Sequence, residues 1–583
     1  MSTDLARPEI SVDNSLEIYP EFLRKLLLNR GITNLEEAQN FLEPDYENHL
    51  HDPYLLKDIE KAVERILKAV ETGEKILIYS DYDADGIPGG VILREFFERI
   101  GHKNVENYIP DRHEEGFGVH KQAVENFAKE GIKLLITVDC GTADVESINR
   151  AVELGLDVII TDHHEPNGHF PKACAIINPK QKDCHYPFKE LCGSGVVYKL
   201  IQAILAKNRF EMKEGYEKWF LDLVGLATLS DMVPLVGENR VLSHYGLKVI
   251  RKSPRPGLQK LFSKVRISQP NINEDDITFS VTPRLNAASR MGHPMDAFKL
   301  LRTKDEIEAD QLSDYLNRIN DERKGVVAAI VKDIKKHLKE RGELKKVIVH
   351  GNPEWKPALL GLAASSVMAD FPRTIFLWGR NGDSIIKGSC RSEGNINLMA
   401  LMESAKDSFL QFGGHKLAGG FSISTEKVHT LEDELNRAYE KLFPVHHESS
   451  PQISIPEGNS RGSDENWIDM KLNLNDVNWD TYKHIERLAP FGIGNPKPTF
   501  LFENVSPKTV KQFGKEKNHL ELIFSAPGGS ASGGAISAIA FFKRPESFET
   551  KLEEGKPINL IATFEKSNFR NYPQLRLHIV DIV

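Results

Sequence analysis

The chain has 583 residues, room for about four units at the usual ~150 residues per domain, so a single small fold is excluded. Hydrophobic residues make up 40% and charged residues 27%, the ratio of a globular chain rather than a disordered one. With 75 Lys and Arg against 84 Asp and Glu, the net charge of −9 gives no sign of a polyanionic partner.

Residues 1–50 read as an N-terminal segment. Asp4, Arg7, Pro8 and Glu9 break any apolar signal core, and no later stretch supplies the ~18 uncharged apolar residues of a membrane span. A cytoplasmic protein with no membrane contact is expected. Cys140, Cys174, Cys184, Cys192 and Cys390 form no C-x-x-C pair, which argues against a disulfide framework or zinc knuckle and predicts reduced, mostly buried thiols.

Residues 51–304 carry an alternating pattern. A helix at 59–70 is followed by strand 76–79, helix 91–100, strand 105–109, helix 121–129, strand 134–138, helix 145–154 and strands 158–161 and 175–177. Short apolar strands separated by amphipathic helices predict a parallel sheet covered on both faces, with ligands at the carboxyl ends of the strands. At 305–340, Leu312, Leu316, Ile319, Val326, Ile330, Ile334 and Leu338 follow helical spacing, with one polar step at Arg323; such a helix can join two lobes across a cleft.

A smaller α/β unit at 341–445 follows, with strands at 347–350 and 374–378 and helical stretches at 359–369 and 397–407. Residues 446–465 read as a linker in which His446 and His447 are solvated. Residues 466–583 hold β-rich runs at 468–472, 499–502, 520–524, 536–542, 558–564 and 574–582, with a flexible loop at 527–534, and predict a small closed or half-closed β barrel. The expected fold class is therefore α/β, two lobes joined by a long helix, followed by a β barrel.

Chemistry concentrates at the strand ends. Strand 76–79 runs into Asp81-Tyr82-Asp83-Ala84-Asp85-Gly86, and if this run stays extended its three carboxylates share one face. Strand 134–138 ends in Asp139-Cys140-Gly141, and strand 158–161 in Asp162-His163-His164. Asp231 closes the apolar run 220–229. So many acids in one place require cations or strongly raised pKa values. Oxygen ligands with one or two imidazoles and no thiolate suit two Mn²⁺ or Mg²⁺ ions, which together activate water and stabilise a leaving oxygen in phosphodiester hydrolysis.

In these motifs the chain resembles the DHH phosphoesterase superfamily, and within it the single-strand-specific 5′→3′ exonucleases, in an ordered series. It comprises the acid motifs, Pro110-Asp111-Arg112 with Glu114 to Gly118, Pro283 to Ala288, Gly413-Gly414-His415, and Pro490-Phe491-Gly492 with Gly494-Asn495-Pro496. The resemblance implies DHH, DHHA1 and OB domains acting on single-stranded DNA in recombination and repair, beside a single-strand-binding protein and a RecQ-type helicase; the sequence leaves the oligomeric state open, with a monomer favoured. It implies Asp83, Asp85, Asp139, His163 and Asp231 as metal ligands, with Asp81 an additional candidate and Asp139 the bridge. It also implies that His164 faces the scissile phosphate, and that Arg112, Arg284, Ser389, Arg391, Gly413, Gly414 and His415 bind substrate. Arg290 reads equally as a phosphate ligand or an interlobe salt bridge.

In the terminal domain Lys508, Lys511, Phe513, Lys515, Lys517 and Phe569 are the strand-binding candidates. Other readings of the same residues are a phosphodiesterase for short oligonucleotides or cyclic dinucleotides, and a non-catalytic replication scaffold. The basic run 247–266 offers a local reversal of charge. The chain departs from the superfamily pattern at Ile87-Pro88-Gly89, at Lys356-Pro357-Ala358 after Trp355, and at Ser289, all outside the expected metal ligands.

Overall fold

The computed structural model describes residues 14–380, 385–392, 394, 396–443, 468–514, 516–525, 534–567 and 573–583. The expected linker, most of the 527–534 loop, Lys515 and Phe569 lie outside the described residues.

Five parallel strands form the first sheet: β1 (Ile76–Ser80), β2 (Val105–Tyr108), β3 (Leu134–Val138), β4 (Asp157–Thr161) and β5 (Ala175–Ile177), in the order β2-β1-β3-β4-β5. Alternate residues supply two cores. Ile76, Ile78, Ile136 and Ile159 face one helical layer, while Leu77, Tyr79, Leu135 and Ile160 face the other. Burial on both faces explains why these strands read as apolar runs rather than as an alternation.

The connecting helix, Glu306–Glu340, has 35 residues and spans about 52 Å at 1.5 Å per residue. Leu316 and Ile319 join the first core, whereas Ile330, Val331, Ile334 and Leu338 join the core of the next unit. The polar step at Arg323 falls between these two packing registers. It is where the helix crosses from one lobe to the other.

The second sheet is mixed: β6 (Val347–Asn352), β7 (Thr374–Gly379), β8 (Ile386–Arg391), β9 (Gln411–Gly414) and β10 (Ala418–Ile423), in the order β6-β7-β8-β10-β9. Only β6 and β7 are parallel. The antiparallel half escaped the sequence reading because β8 to β10 are rich in Gly and polar residues, which weakens their strand signal.

Seven further strands, β11 (Met470–Lys471), β12 (Phe500–Val505), β13 (Thr509–Phe513), β14 (His519–Ser525), β15 (Ala535–Ala540), β16 (Ile558–Ser567) and β17 (Gln574–Ile582), form one curled sheet in the order β11-β12-β16-β17-β15-β14-β13. Its core of Phe500, Phe502, Phe524 and Leu560 also takes Leu16, Leu23, Leu26, Leu27 and Leu42. The N-terminal helices thus complete the hydrophobic core of the most distant β unit. Arg240, buried in the first lobe, donates to the carbonyls of Phe41 (2.7 Å), Leu488 (2.9 Å) and Ala489 (3.0 Å), and Asn495 donates to Leu488 (2.7 Å) and Pro490 (2.8 Å). The Pro490 to Pro496 motif therefore lies at the joint between the first lobe and the β domain.

Within the first lobe, Lys199 and Glu238 form a fully buried pair at 2.6 Å. Glu238 also accepts from the His51 N–H and the Tyr186 hydroxyl, and Lys199 donates to the His51 carbonyl. Lys199→Met leaves Glu238 charged and unpaired and is expected to cost about 3–5 kcal/mol. Thermal unfolding checks this, and the double variant Lys199→Met/Glu238→Leu is expected to recover part of the loss.

Among the described residues, no helix is long and apolar enough to cross a membrane. Four of the five cysteines are buried, whereas Cys174 is exposed.

Candidate metal centre and strand cleft

Sheet register sets the centre. One residue beyond its strand, Asp81 donates its backbone N–H to Val138, Asp139 to Thr161 and Asp162 to Ile177, at 2.9–3.1 Å. Three neighbouring strands therefore end level, each with an acid on the next rung. Asp139 takes a left-handed backbone (φ 62°), uncommon for a residue with a side chain and characteristic of constrained sites.

The 81–85 run does not stay extended. It bends after Asp81, and Asp83 Oδ1 accepts from the N–H groups of Asp85 (2.8 Å) and Gly86 (3.1 Å) at the start of helix Gly86–Arg99. A turn rather than strand alternation brings the carboxylates together. Asp85 meets the start of a second helix, Gly193–Lys207, accepting from the N–H groups of Gly193 (2.5 Å) and Ser194 (2.7 Å). Asp231 follows helix Leu221–Ser230, at the end where the helix dipole disfavours an anion.

Ligand atoms of Asp81, Asp83 and Asp139, of Asp85, His163 and Asp231, and of Asp139, His163 and His164 lie within 4.8 Å of one another in each group. His163 Nε2 stands 3.1 Å from Asp139 Oδ1, 3.6 Å from Asp231 Oδ2 and 3.8 Å from Asp85 Oδ2. Burial, with repulsion from neighbouring acids, holds Asp81, Asp139 and Asp231 well above the usual carboxylate range and pushes Asp85 up to about 6. Burial and the adjacent His164 lower His163 to about 3, so its imidazole is neutral.

The neutral imidazole of His163 and the carboxylate oxygens around it stand close enough to share one cation. Asp81 Oδ1 and Asp139 Oδ1 are buried and accept no hydrogen bond among the described residues. The separation of 3.1 Å is close to the ~3 Å between adjacent ligands of an octahedral ion with ~2.1 Å bonds. An oxygen-dominated donor set with one imidazole fits Mn²⁺ or Mg²⁺.

Asp162, the first letter of the triplet, points away from this cluster. It accepts from the N–H groups of Thr142 (3.0 Å) and His163 (2.8 Å), and its Oδ1 pairs with His164 Nδ1 at 2.8 Å. Burial opposes charge on His164, yet the Asp162 contact outweighs it and holds the imidazole at about 9. Asn178 secures the same loop through the His164 carbonyl (2.9 Å), and Asn286 accepts from the Ala84 N–H (2.8 Å).

Beside the acids, arginines from both lobes lie close to one another. The Arg112 guanidinium lies over the Tyr82 ring at 4.7 Å. Arg290 does not form the interlobe salt bridge considered from sequence: its Nη1 donates to the Ala358 carbonyl at 2.7 Å, a neutral contact across the lobes. Burial, then Arg112 and Arg323, lowers Arg290 to about 9. Burial also lowers Arg284, Arg323 and Arg391, the last with Arg112 adding to it. Arg284 is oriented by Asn317 (2.8 Å) and the Ser280 carbonyl (2.6 Å). Mutually repelling, partly desolvated guanidinium groups form a site for an anion.

Of the second-lobe candidates, His415 reaches the centre: its ring stacks on His164 with centroids 6.3 Å apart and planes at 19°. Gly413 and Gly414 pair with Gly420 and Gly419, and Gly414 has φ 143° with no room for a Cβ beside the Ala418 carbonyl. Ser389 and Arg391 lie on β8 of this sheet. Phe117, half exposed, sets its ring edge-on to His164 at 5.4 Å.

On the β domain, Lys508, Lys511 and Lys517 are exposed, and Phe513 joins an aromatic patch with His519, Phe541 and Phe542, of which Phe542 is 80% exposed. Sequence reading missed Phe541 and Phe542, although adjacent phenylalanines after a strand were a visible signal. It also missed a groove of about 740 Å³ lined by Arg323, Lys324, Lys332, Lys335, Lys336 and Lys339 along the connecting helix. The basic run 247–266, in contrast, is partly neutralised: of its seven cations, Arg255 pairs with Glu95 and Asp222, Lys260 with Glu306, and Lys264 with Asp314.

Family models match in the same order as these units: the DHH family N-terminal domain at 75–228, the DHHA1 domain at 344–441 and the RecJ OB domain at 468–581. The single-stranded-DNA-specific exonuclease RecJ of Bacillus subtilis (strain 168) is 34% identical, over 100% of this chain and 70% of that protein. Its counterpart in Escherichia coli (strain K12) is 32% identical, over 90% and 89%. The crystal structure of Thermus thermophilus RecJ in complex with Mn²⁺ superposes with a TM-score of 0.76 at 26% identity, covering 98% of this chain and 76% of that one. The chain belongs to the RecJ family.

Proposed function

We propose that this protein is a metal-dependent exonuclease that hydrolyses single-stranded DNA from its 5′ end. The observation that carries the reading is the gathering of five carboxylates and His163 around the carboxyl ends of the strands, close to arginines that have no salt-bridge partner among the described residues. The relatives named as single-stranded-DNA-specific supply the substrate; direction rests on the family resemblance. So do a role in recombination and repair and the expected partners, a single-strand-binding protein and a RecQ-type helicase.

Asp83, Asp85, Asp139, His163 and Asp231, with Asp81, would hold two Mn²⁺ or Mg²⁺ ions, with Asp139 shared between them. Bound there, such ions supply a hydroxide nucleophile at neutral pH and neutralise charge on the leaving oxygen. The chain's own residues do the rest. Arg112, Arg284 and Arg391 hold backbone phosphates and set the scissile bond over the acids. His164, kept protonated by Asp162, donates to the phosphate oxygen on which charge develops. His415 and Phe117 flank it, the latter offering a face for the terminal base. Two divalent cations offset four of the five carboxylate charges, and the protonated His164 is balanced by Asp162, which leaves one net negative charge beside the arginines. The −9 of the whole chain therefore does not measure the charge that the substrate meets at the centre.

The aromatic patch on the β domain supports a long strand over a dinucleotide, since exposed rings serve to stack successive bases. Metal-stripped protein resupplied with Mn²⁺ should shorten single strands from the 5′ end and act slowly on blunt duplexes and dinucleotides. Preference for the dinucleotide, or loss from the 3′ end alone, would contradict the reading. Arg112→Ala and Arg391→Ala should each lower kcat/KM about 10–100-fold, as for a lost hydrogen bond to a charged group, mainly through KM. Steady-state kinetics on a labelled oligonucleotide checks this.

A further inference from the structure

A second set of metal-binding side chains lies away from the cleft. Asp333 and His337 are four residues apart on the connecting helix and share one face; His350 is on β6, the edge strand of the second sheet. Ligand atoms of the three lie within 4.8 Å of one another. The His337 and His350 rings are 5.0 Å apart, and His337 Nδ1 bonds the Asp333 carbonyl at 2.9 Å. With Nδ1 given to that carbonyl, Nε2 is the nitrogen left for a ligand, the usual arrangement of an imidazole steadied by a carbonyl. Neither ring nitrogen of His350 has a hydrogen-bond partner among the described residues.

We propose that Asp333, His337 and His350 form a separate site for a zinc-class ion, which ties the far half of the connecting helix to the edge of the second lobe. Two imidazoles and one carboxylate, partly open to water, match three-ligand zinc chemistry and differ from the oxygen-rich set in the cleft. Occupancy has a route to the lobe interface. His350 packs edge-on against Trp355 at 5.6 Å, and Trp355 leads into the helix Pro357–Asp370, whose Ala358 carbonyl receives Arg290. The ion would stiffen this joint.

The test compares full-length wild type, His337→Ala and His350→Gln, each stripped with chelator and dialysed against micromolar Zn²⁺. Elemental analysis should find one zinc equivalent fewer per chain in both variants. Their Mn²⁺-dependent nuclease rates should equal that of wild type, and zinc should raise the thermal midpoint of wild type more than that of either variant. His337 is on an exposed helical face, so its variant carries the test should His350→Gln fold poorly. Equal zinc content in wild type and His337→Ala would overturn the proposal.

Discussion

Replacing Asp139 by asparagine should lower Mn²⁺-dependent strand hydrolysis by at least about 10²–10³-fold, the scale for deleting one preorganised electrostatic group. The same change should stabilise the metal-stripped protein by about 1–3 kcal/mol, because it removes a charge from a buried cluster with too few counter-ions. Asp139 is 2% exposed, its Oδ1 accepts no hydrogen bond, and burial and four other acids oppose its ionisation. Loss of activity with a gain in stability separates a functional ligand from a structural acid. Kinetics and thermal unfolding in chelator read the two effects. In wild type without metal, Asp85 is raised from 3.8 to about 6. Its neutral form thus favours the folded state at low pH, and stability should fall as pH rises from about 4 to 6. Added Mn²⁺ should remove that slope.

The second large effect concerns His164. His164→Ala should reduce kcat about 10²–10³-fold while the Mn²⁺-induced rise in thermal midpoint stays close to that of wild type, since the side chain stabilises the phosphate rather than the fold. Asp162→Asn should cost less, about 10–100-fold, because Asp162 reaches the phosphate through His164, which it orients and charges at 2.8 Å, and the amide can still accept from the loop N–H groups. A collapse of metal-induced stabilisation in His164→Ala would instead make His164 a ligand. Its Nδ1 stands 3.8 Å from Asp139 Oδ1, so the measurement decides between the two roles.

The acids were legible because they ride on periodic elements: apolar strands announce themselves, and the residue after each one is marked. Their supports were not. Asp85 relies on the N–H groups of Gly193 and Ser194, and the turn at Ala84 on Asn286, 202 residues away. No local pattern encodes such pairings; they arise when a helix start or an amide docks against the sheet. The expectation of an extended 81–85 run failed for a similar reason, since Asp83 folds the chain back by bonding the N–H groups ahead of it.

Arg323 was visible as a break in an apolar stripe, but its place in the cleft depends on where the helix changes partners. The antiparallel half of the second sheet was obscured by glycines at Gly388, Gly413, Gly419 and Gly420. The packing of residues 16–42 into the β-domain core had no sequence signal, because an amphipathic helix does not name the surface it will cover.

The central claim is that the acids at the strand ends hold two ions. A crystal of the protein soaked with Mn²⁺ and measured at an anomalous wavelength tests it most directly. The account predicts two peaks about 3.5–4 Å apart, one among Asp81, Asp83 and Asp139 and the other among Asp85, His163 and Asp231, with Asp139 touching both. A single peak, or none within reach of Asp139, would contradict it.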